Sequence, residues 1–115
     1  DFSDADLEDA DLSDADLYSA KFKRANLTRA DLSRSDVQYA DFSDATLLET
    51  KLVGANALGA NFRRTDLSGA DMAKLNLRFA NNLATATITN VVWNDTTCPD
   101  GTNSDSNGGT CQGRF

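Results

Sequence analysis

Residues 22–47 read FKRANLTRADLSRSDVQYADFSDATL, and this stretch decides the fold. A large apolar residue returns at every fifth position: Phe22, Leu27, Leu32, Val37, Phe42 and Leu47. Two residues before each stands a small one (Ala20, Ala25, Ala30, Ser35, Ala40, Ala45), and between them a polar one, most often Asp or Asn. A helix needs apolar spacings of three and four, because five steps carry the side chain round the axis and leave no stripe. A strand needs a spacing of two. The unit Ala-Asp/Asn-Leu-x-x instead holds one inward-outward-inward triplet followed by two polar residues: a very short extended piece, then a corner. Repeated, it coils the chain about an axis with alanine and leucine inside.

Working outward, the same unit runs from Phe2 to Leu77. A second period shows how many units close a coil, since Phe2, Phe22, Phe42 and Phe62 are spaced by twenty. Twenty residues are four units, so the coil has four sides and the core residues fall into four columns. The phenylalanines form the first. Leu7, Leu27, Leu47 and Leu67 form the second; Leu12, Leu32, Leu52 and Met72 the third; Leu17, Val37, Ala57 and Leu77 the fourth. After Ala80 the pattern slips by one residue and resumes at Leu83, Ile88 and Trp93, which are expected to continue the first three columns past a bulge at a corner. Ala57 is small for its column and Leu75 large for a position otherwise held by small residues, so Leu75 is expected to fill the space Ala57 leaves.

The tandem Ala-Asp/Asn-Leu-x-x unit resembles the pentapeptide-repeat family over residues 1–93. The resemblance implies an all-β fold: a right-handed quadrilateral parallel β-helix of four to five coils. Residues 94–115, rich in Gly, Asn, Asp, Ser and Thr, form the second segment, a loop expected to cap the C-terminal end behind Trp93. Cys98 and Cys111 flank its turn-rich part. Two cysteines without histidine are too few for a zinc site, so a disulfide is expected, worth about 3 kcal/mol by loop closure. Asn103, Asp105 and Asn107 faintly resemble a calcium loop, but the twelfth position, where such a loop needs glutamate, is Arg114. No metal or cofactor is therefore expected.

The chain of 115 residues carries a net charge of −7 and no histidine. That excludes Ser-His-Asp and Cys-His nucleophile systems and histidine-ligated metals. No catalytic constellation is visible, and paired acids of the carbohydrate-active kind belong to β-helices with much larger coils. Charge alternates by coil: −8 in residues 1–20, +3 in 21–40, −2 in 41–60, +2 in 61–80 and −2 in the tail. Columns such as Asp4-Arg24-Asp44-Arg64 and Asp9-Arg29-Glu49 place opposite charges in adjacent layers. The excess lies in the first coil, where Asp1, Asp4, Asp6, Glu8, Asp9, Asp11, Asp14 and Asp16 form a candidate acidic docking face. Leu48, Val53 and Leu58 are expected on a less polar outward face, and Tyr18, Tyr39 and Phe79 at outward or corner positions of the fourth side.

These features read as a non-enzymatic structural or protein-binding scaffold with an unidentified protein partner. The expectation is a monomer, with end-to-end association left open, no nucleic-acid binding and no membrane insertion, since no apolar run approaches the ~20 residues of a span. A disulfide implies an oxidising compartment, hence periplasm, cell exterior or an oxidised organelle lumen after loss of a signal upstream of Asp1, with a reduced cytoplasmic pair still open; the family resemblance implies that such a lumen would be the thylakoid's. The alternative is a DNA mimic that binds DNA gyrase, as some members of the resembled family do.

Overall fold

A computed structural model describes residues 1–115. Its architecture follows from how one five-residue unit satisfies its backbone. In the unit around Leu47, the Thr46 amide donates to the Ala25 carbonyl of the layer before (3.0 Å) and the Leu47 amide to the Asp66 carbonyl of the layer after (2.7 Å). The Glu49 amide also reaches the layer after, at Ser68 O (2.9 Å), and the Thr50 amide closes a turn onto Leu47 O (3.3 Å). That turn needs a positive φ at its third residue, and Glu49 adopts φ 55°. The remaining amide, Leu48, finds no protein acceptor, whereas in most units the middle Asp or Asn supplies one: Asp31 Oδ1 accepts from Ser33 N (2.9 Å), and Asp66 Oδ1 from Ser68 N (3.0 Å). The Asp/Asn preference of the middle position is thus a backbone requirement as well as a polar surface. Asparagines there also donate to the same position one layer down, as Asn61 does to Asp41 and Asn76 to Asn56.

Parallel bridges join the middle residues twenty apart, as in Asp6–Asn26–Thr46–Asp66 and Asp11–Asp31–Lys51–Asp71. Each side contributes a single bridged residue, because the next corner arrives before a strand can extend. The stacked sides are ladders of isolated bridges and not continuous strands.

Inside, the four columns are as expected. Phe22, Phe42 and Phe62 are fully buried, and the rings from Phe2 to Phe62 stack at centroid distances of 5.1, 5.0 and 5.3 Å. Leu27, Leu47, Leu67, Leu32, Leu52, Met72, Val37 and Leu77 are fully buried, and Leu17 nearly so. Phe2, Leu7 and Leu12 in the first coil are half-buried. Where hydroxyls replace alanine at the small position they donate to backbone carbonyls: Thr50 to Leu27 and Thr65 to Phe42 of the layer below, both at 2.8 Å, and Ser35 to Leu32 of its own layer (2.6 Å). No buried side-chain polar atom lacks a partner.

The register slip is taken up between the Asn61–Asn81 bridge and the Asp66–Thr87 bridge. Asn82 turns left-handed (φ 63°) and Leu83–Thr85 make a 3-10 turn that keeps Leu83 buried. The inserted residue displaces the carbonyl that Arg64 N would meet, and Thr85 Oγ1 accepts that bond at 3.0 Å. Beyond the slip, Leu83 and Trp93 are buried, while Ile88 is only half-buried.

The ladder does not stop at residue 93. Asn76 bridges Thr97, Leu77 N donates to Thr97 O (2.8 Å), and Phe79 N to Pro99 O (3.0 Å). Cys98 therefore takes the fourth-column place above Leu77, and Thr96 the small position before it; both are fully buried. The chain then folds back through an antiparallel bridge from Thr97 to Asn103 and a 3-10 turn at Ser104–Asn107. Buried Ser104 donates to Trp93 O (2.8 Å) and accepts from Thr96 N (3.0 Å). The Cys98–Cys111 disulfide ties the fold-back to the core.

Candidate interaction surfaces

Three corners of the coil carry charge. At the first, Arg24 grips Asp4 with two bonds (2.6 and 2.8 Å), and Arg64 grips Asp44 likewise. At the second, Arg29 binds Asp9 (2.8 and 3.0 Å) and also Glu8; at the third, Arg34 binds Asp14 (2.8 and 2.7 Å). In each case an arginine reaches back to the acid of the preceding layer. The alternating columns are thus discrete pairs and not continuous ladders: no bond joins Arg24 to Asp44 or Arg29 to Glu49. Bonding to these guanidiniums holds the carboxyls of Asp4, Asp9, Asp14 and Asp44 below the usual carboxylate range. Asp14 and Arg34 also stand twenty residues apart, one layer, whereas Glu8 and Arg29 stand twenty-one apart.

The eight acids of the first coil divide accordingly. Asp4, Glu8, Asp9 and Asp14 are ion-paired. Asp1, Asp6, Asp11 and Asp16 each accept the amide two residues on. At Asp11 the Ser13 hydroxyl also donates and holds the carboxyl low.

In the tail, Asn103 Oδ1 accepts from Asp105 N (2.8 Å) and its amide donates to Asp95 (2.8 Å). Asp105 Oδ1 accepts from Asp95 N (2.9 Å), and Asn107 donates to Thr102 Oγ1 (2.7 Å). The three residues of the faint calcium pattern each hydrogen-bond within the tail and knit the loop together.

Leu48, Val53 and Leu58 do not share a face. They follow the core residues of three successive sides, so they ring one layer at three different corners. Of the three, Leu58 falls on the fourth corner, beside Gly59, and that corner also carries the exposed aromatics. Tyr18, Tyr39 and Phe79 are 57%, 52% and 63% exposed. Tyr39 and Phe79 hold φ values of 57° and 59°, a conformation bulky side chains rarely adopt. Tyr18 and Tyr39 meet edge to face at 5.6 Å, and the Arg78 guanidinium lies 5.0 Å from the Phe79 ring centroid. Gly59 occupies the layer between, and a Cβ there would come within 2.6 Å of the Tyr39 ring.

The profile described as pentapeptide repeats (8 copies) matches residues 1–38, 25–57 and 40–78. The chain belongs to the pentapeptide-repeat family. Among solved structures, the pentapeptide-repeat protein Rfr23 from the cyanobacterium Cyanothece 51142 is 33% identical, with a TM-score of 0.75, over 79% of this chain and 62% of that one. The chain thus spans less than two thirds of that relative's length. The pentapeptide-repeat protein alr5209 from Nostoc PCC 7120 is 25% identical, with a TM-score of 0.66, over 76% of this chain and 84% of that one. A pentapeptide-repeat protein of the Arabidopsis thaliana thylakoid lumen, AT2G44920, is 22% identical with a TM-score of 0.51, over 88% of this chain and 70% of that one, and shares the fold. No curated protein sequence is similar enough to match. Within this pentapeptide-repeat solenoid, the fourth corner is the surface whose side chains neither ion-pairing nor backbone capping explains.

Proposed function

We propose that this pentapeptide-repeat protein is a non-enzymatic scaffold that presents a rigid surface to other proteins, built as a right-handed solenoid of nearly five coils. The observation that carries this reading is the commitment of its surface acids. Apart from Glu49 and Asp95, they cap backbone amides or grip arginines, so they rigidify the coil and do not converge on a substrate. Rigid, pre-ordered side chains bind with little ordering cost, which suits recognition.

The Cys98–Cys111 bridge supports an exported or lumenal protein, because such bonds persist in oxidising compartments. The thylakoid-lumen location of one fold relative is in keeping with this. Thiol alkylation of the protein taken directly from its native cells tests it. Both cysteines should be blocked until reductant is added; free thiols in freshly lysed cells would contradict export. A gyrase supercoiling assay separates the scaffold from a DNA mimic. With arginines binding six of its acids, the surface lacks the unbroken negative charge a mimic needs, and stoichiometric protein should leave supercoiling unchanged.

A further inference from the structure

The fourth corner departs from its three counterparts in three independent ways. From Tyr18 to Phe79 it carries no acid–arginine pair, whereas each of the other corners carries at least one; its one pair, Asp100 with Arg114 at 3.9 Å, lies in the last layer. It places aromatic rings in a left-handed conformation that Asp, Asn or Gly would adopt with less strain. Its rings are also pre-ordered: Tyr39 lies over the bare backbone of Gly59, Tyr18 is set edge-on to it, and Arg78 lies against Phe79. Three aromatics more than half exposed leave roughly 300 Å² of apolar surface along this corner, in two parts: Tyr18 with Tyr39, and Phe79 one layer beyond Gly59.

The order along this corner identifies the occupant. Reading up the layers, its two outward positions run Tyr18-Ser19, Gln38-Tyr39, Leu58-Gly59, Arg78-Phe79 and Pro99-Asp100, so an aromatic stands one layer to either side of Gly59. Such a strip is complementary to its own reverse. Charge sets the direction, because the middle positions beside the corner are Asp16 and Asp36 in the lower layers and Asn56 and Asn76 in the upper ones. Two copies side by side in the same direction would oppose acid to acid and Arg78 to Arg78, which costs association. Two copies in opposite directions bring Arg78 to the layer of the partner's Asp36.

We propose that this corner is a self-association surface on which two copies pair antiparallel about a two-fold axis near Gly59, Tyr39 of each lying beside the partner's Phe79. The interface is isologous, so it closes as a dimer and does not propagate. The exposed apolar area, about 600 Å² over the two copies, is that of a weak, transient interface, so pairing is expected only at high protein concentration.

Sedimentation of the disulfide-bonded protein from about 5 µM to 1 mM tests this. The mass should rise from 12.4 kDa towards twice that value. Phe79→Asn and Tyr39→Asn, which suit the left-handed conformation, should melt at or above the wild-type temperature and stay monomeric throughout. Arg78→Glu should weaken pairing at least tenfold. In a mixture of differently labelled copies, nuclear Overhauser contacts should join Tyr39 of one to Phe79 of the other. A wild-type protein monomeric at 1 mM, asparagine variants that associate like wild type, or contacts at the solenoid ends would each overturn the proposal. None of these outcomes bears on the scaffold reading, which rests on the committed acids.

Discussion

At residue scale, one hydrogen bond explains the composition. The amide following each core residue lies outside the interlayer ladder, and an Asp or Asn two positions earlier captures it. Lys21, Thr46 and Lys51 leave the amides of Lys23, Leu48 and Val53 without that acceptor. Lys51 stands between Asp31 and Asp71 in its column, so Lys51→Asn should gain the turn bond to Val53 and donate to Asp31 in the manner of Asn61 to Asp41. The expected gain is about 0.5–1 kcal/mol in denaturant unfolding. A loss of stability would show that the middle position is chosen for solubility alone. The sequence showed Asp and Asn at these positions but not their task, because an outward polar residue looks the same whether or not it caps a backbone group.

At the scale of a side or a column, the apolar periods were fully legible and polar substitutes were not. The twenty-residue recurrence of phenylalanine places the stacked rings directly. Cys98 and Thr96 occupy a column and a small position, yet they read as tail because neither is a large or small hydrocarbon. Ile88 kept its column by spacing but sits half-exposed, since the fold-back bonds to the Trp93 and Cys98 sides. Ala57 of the fourth column and Leu75, at the small position before Leu77, are both fully buried, as the expected pairing requires. Leu75→Ala should cost about 2–5 kcal/mol and Ala57→Leu about 1–3 kcal/mol. Combined, they should cost at least about 1 kcal/mol less than the two singles added, if Leu75 fills Ala57's space. Strict additivity in urea unfolding would show that the two residues fill separate spaces.

At the scale of the molecule, the charge layers and the cap set how stability responds to conditions. Bonds to arginine, or to serine and threonine turns, lower the carboxyls of Asp4, Asp9, Asp11, Asp14, Asp31, Asp44 and Asp100. Burial raises Asp41, but its bonds from Ser43 and Asn61 outweigh that and leave it lowered too. A carboxyl lowered in the folded state binds fewer protons there than in the unfolded chain. Its contribution is therefore complete above the ordinary value of 3.8 and is lost as pH falls through the lower folded value. Urea midpoints should be flat from about pH 7 to 5 and fall steeply below about pH 4; a midpoint unchanged to about pH 2.5 would contradict this.

Reduction of Cys98–Cys111 should cost about 3 kcal/mol, and amide exchange should rise first in residues 94–111, which that bond holds against the last layer. Exchange rising equally in residues 41–60 would show that the cap and coil are one cooperative unit. Charge alternation was legible from the sequence, but its grouping into backward-reaching pairs depends on side-chain direction, which spacing does not carry. The aromatic corner was legible only as scattered residues, because Tyr18 and Tyr39 sit at different places in their units and meet only in space.

The central claim is a four-sided solenoid whose layers repeat every twenty residues, with one slip between Asn81 and Thr87. Through-hydrogen-bond NMR couplings test it most directly, since they pair an amide nitrogen with its own acceptor carbonyl. Leu47 nitrogen should couple to the Asp66 carbonyl, Leu67 nitrogen to the Thr87 carbonyl, and Leu77 nitrogen to the Thr97 carbonyl. Coupling of Leu67 to Ala86 instead, or no coupling from Leu77 to residue 97, would contradict the register and the extension of the ladder through Cys98.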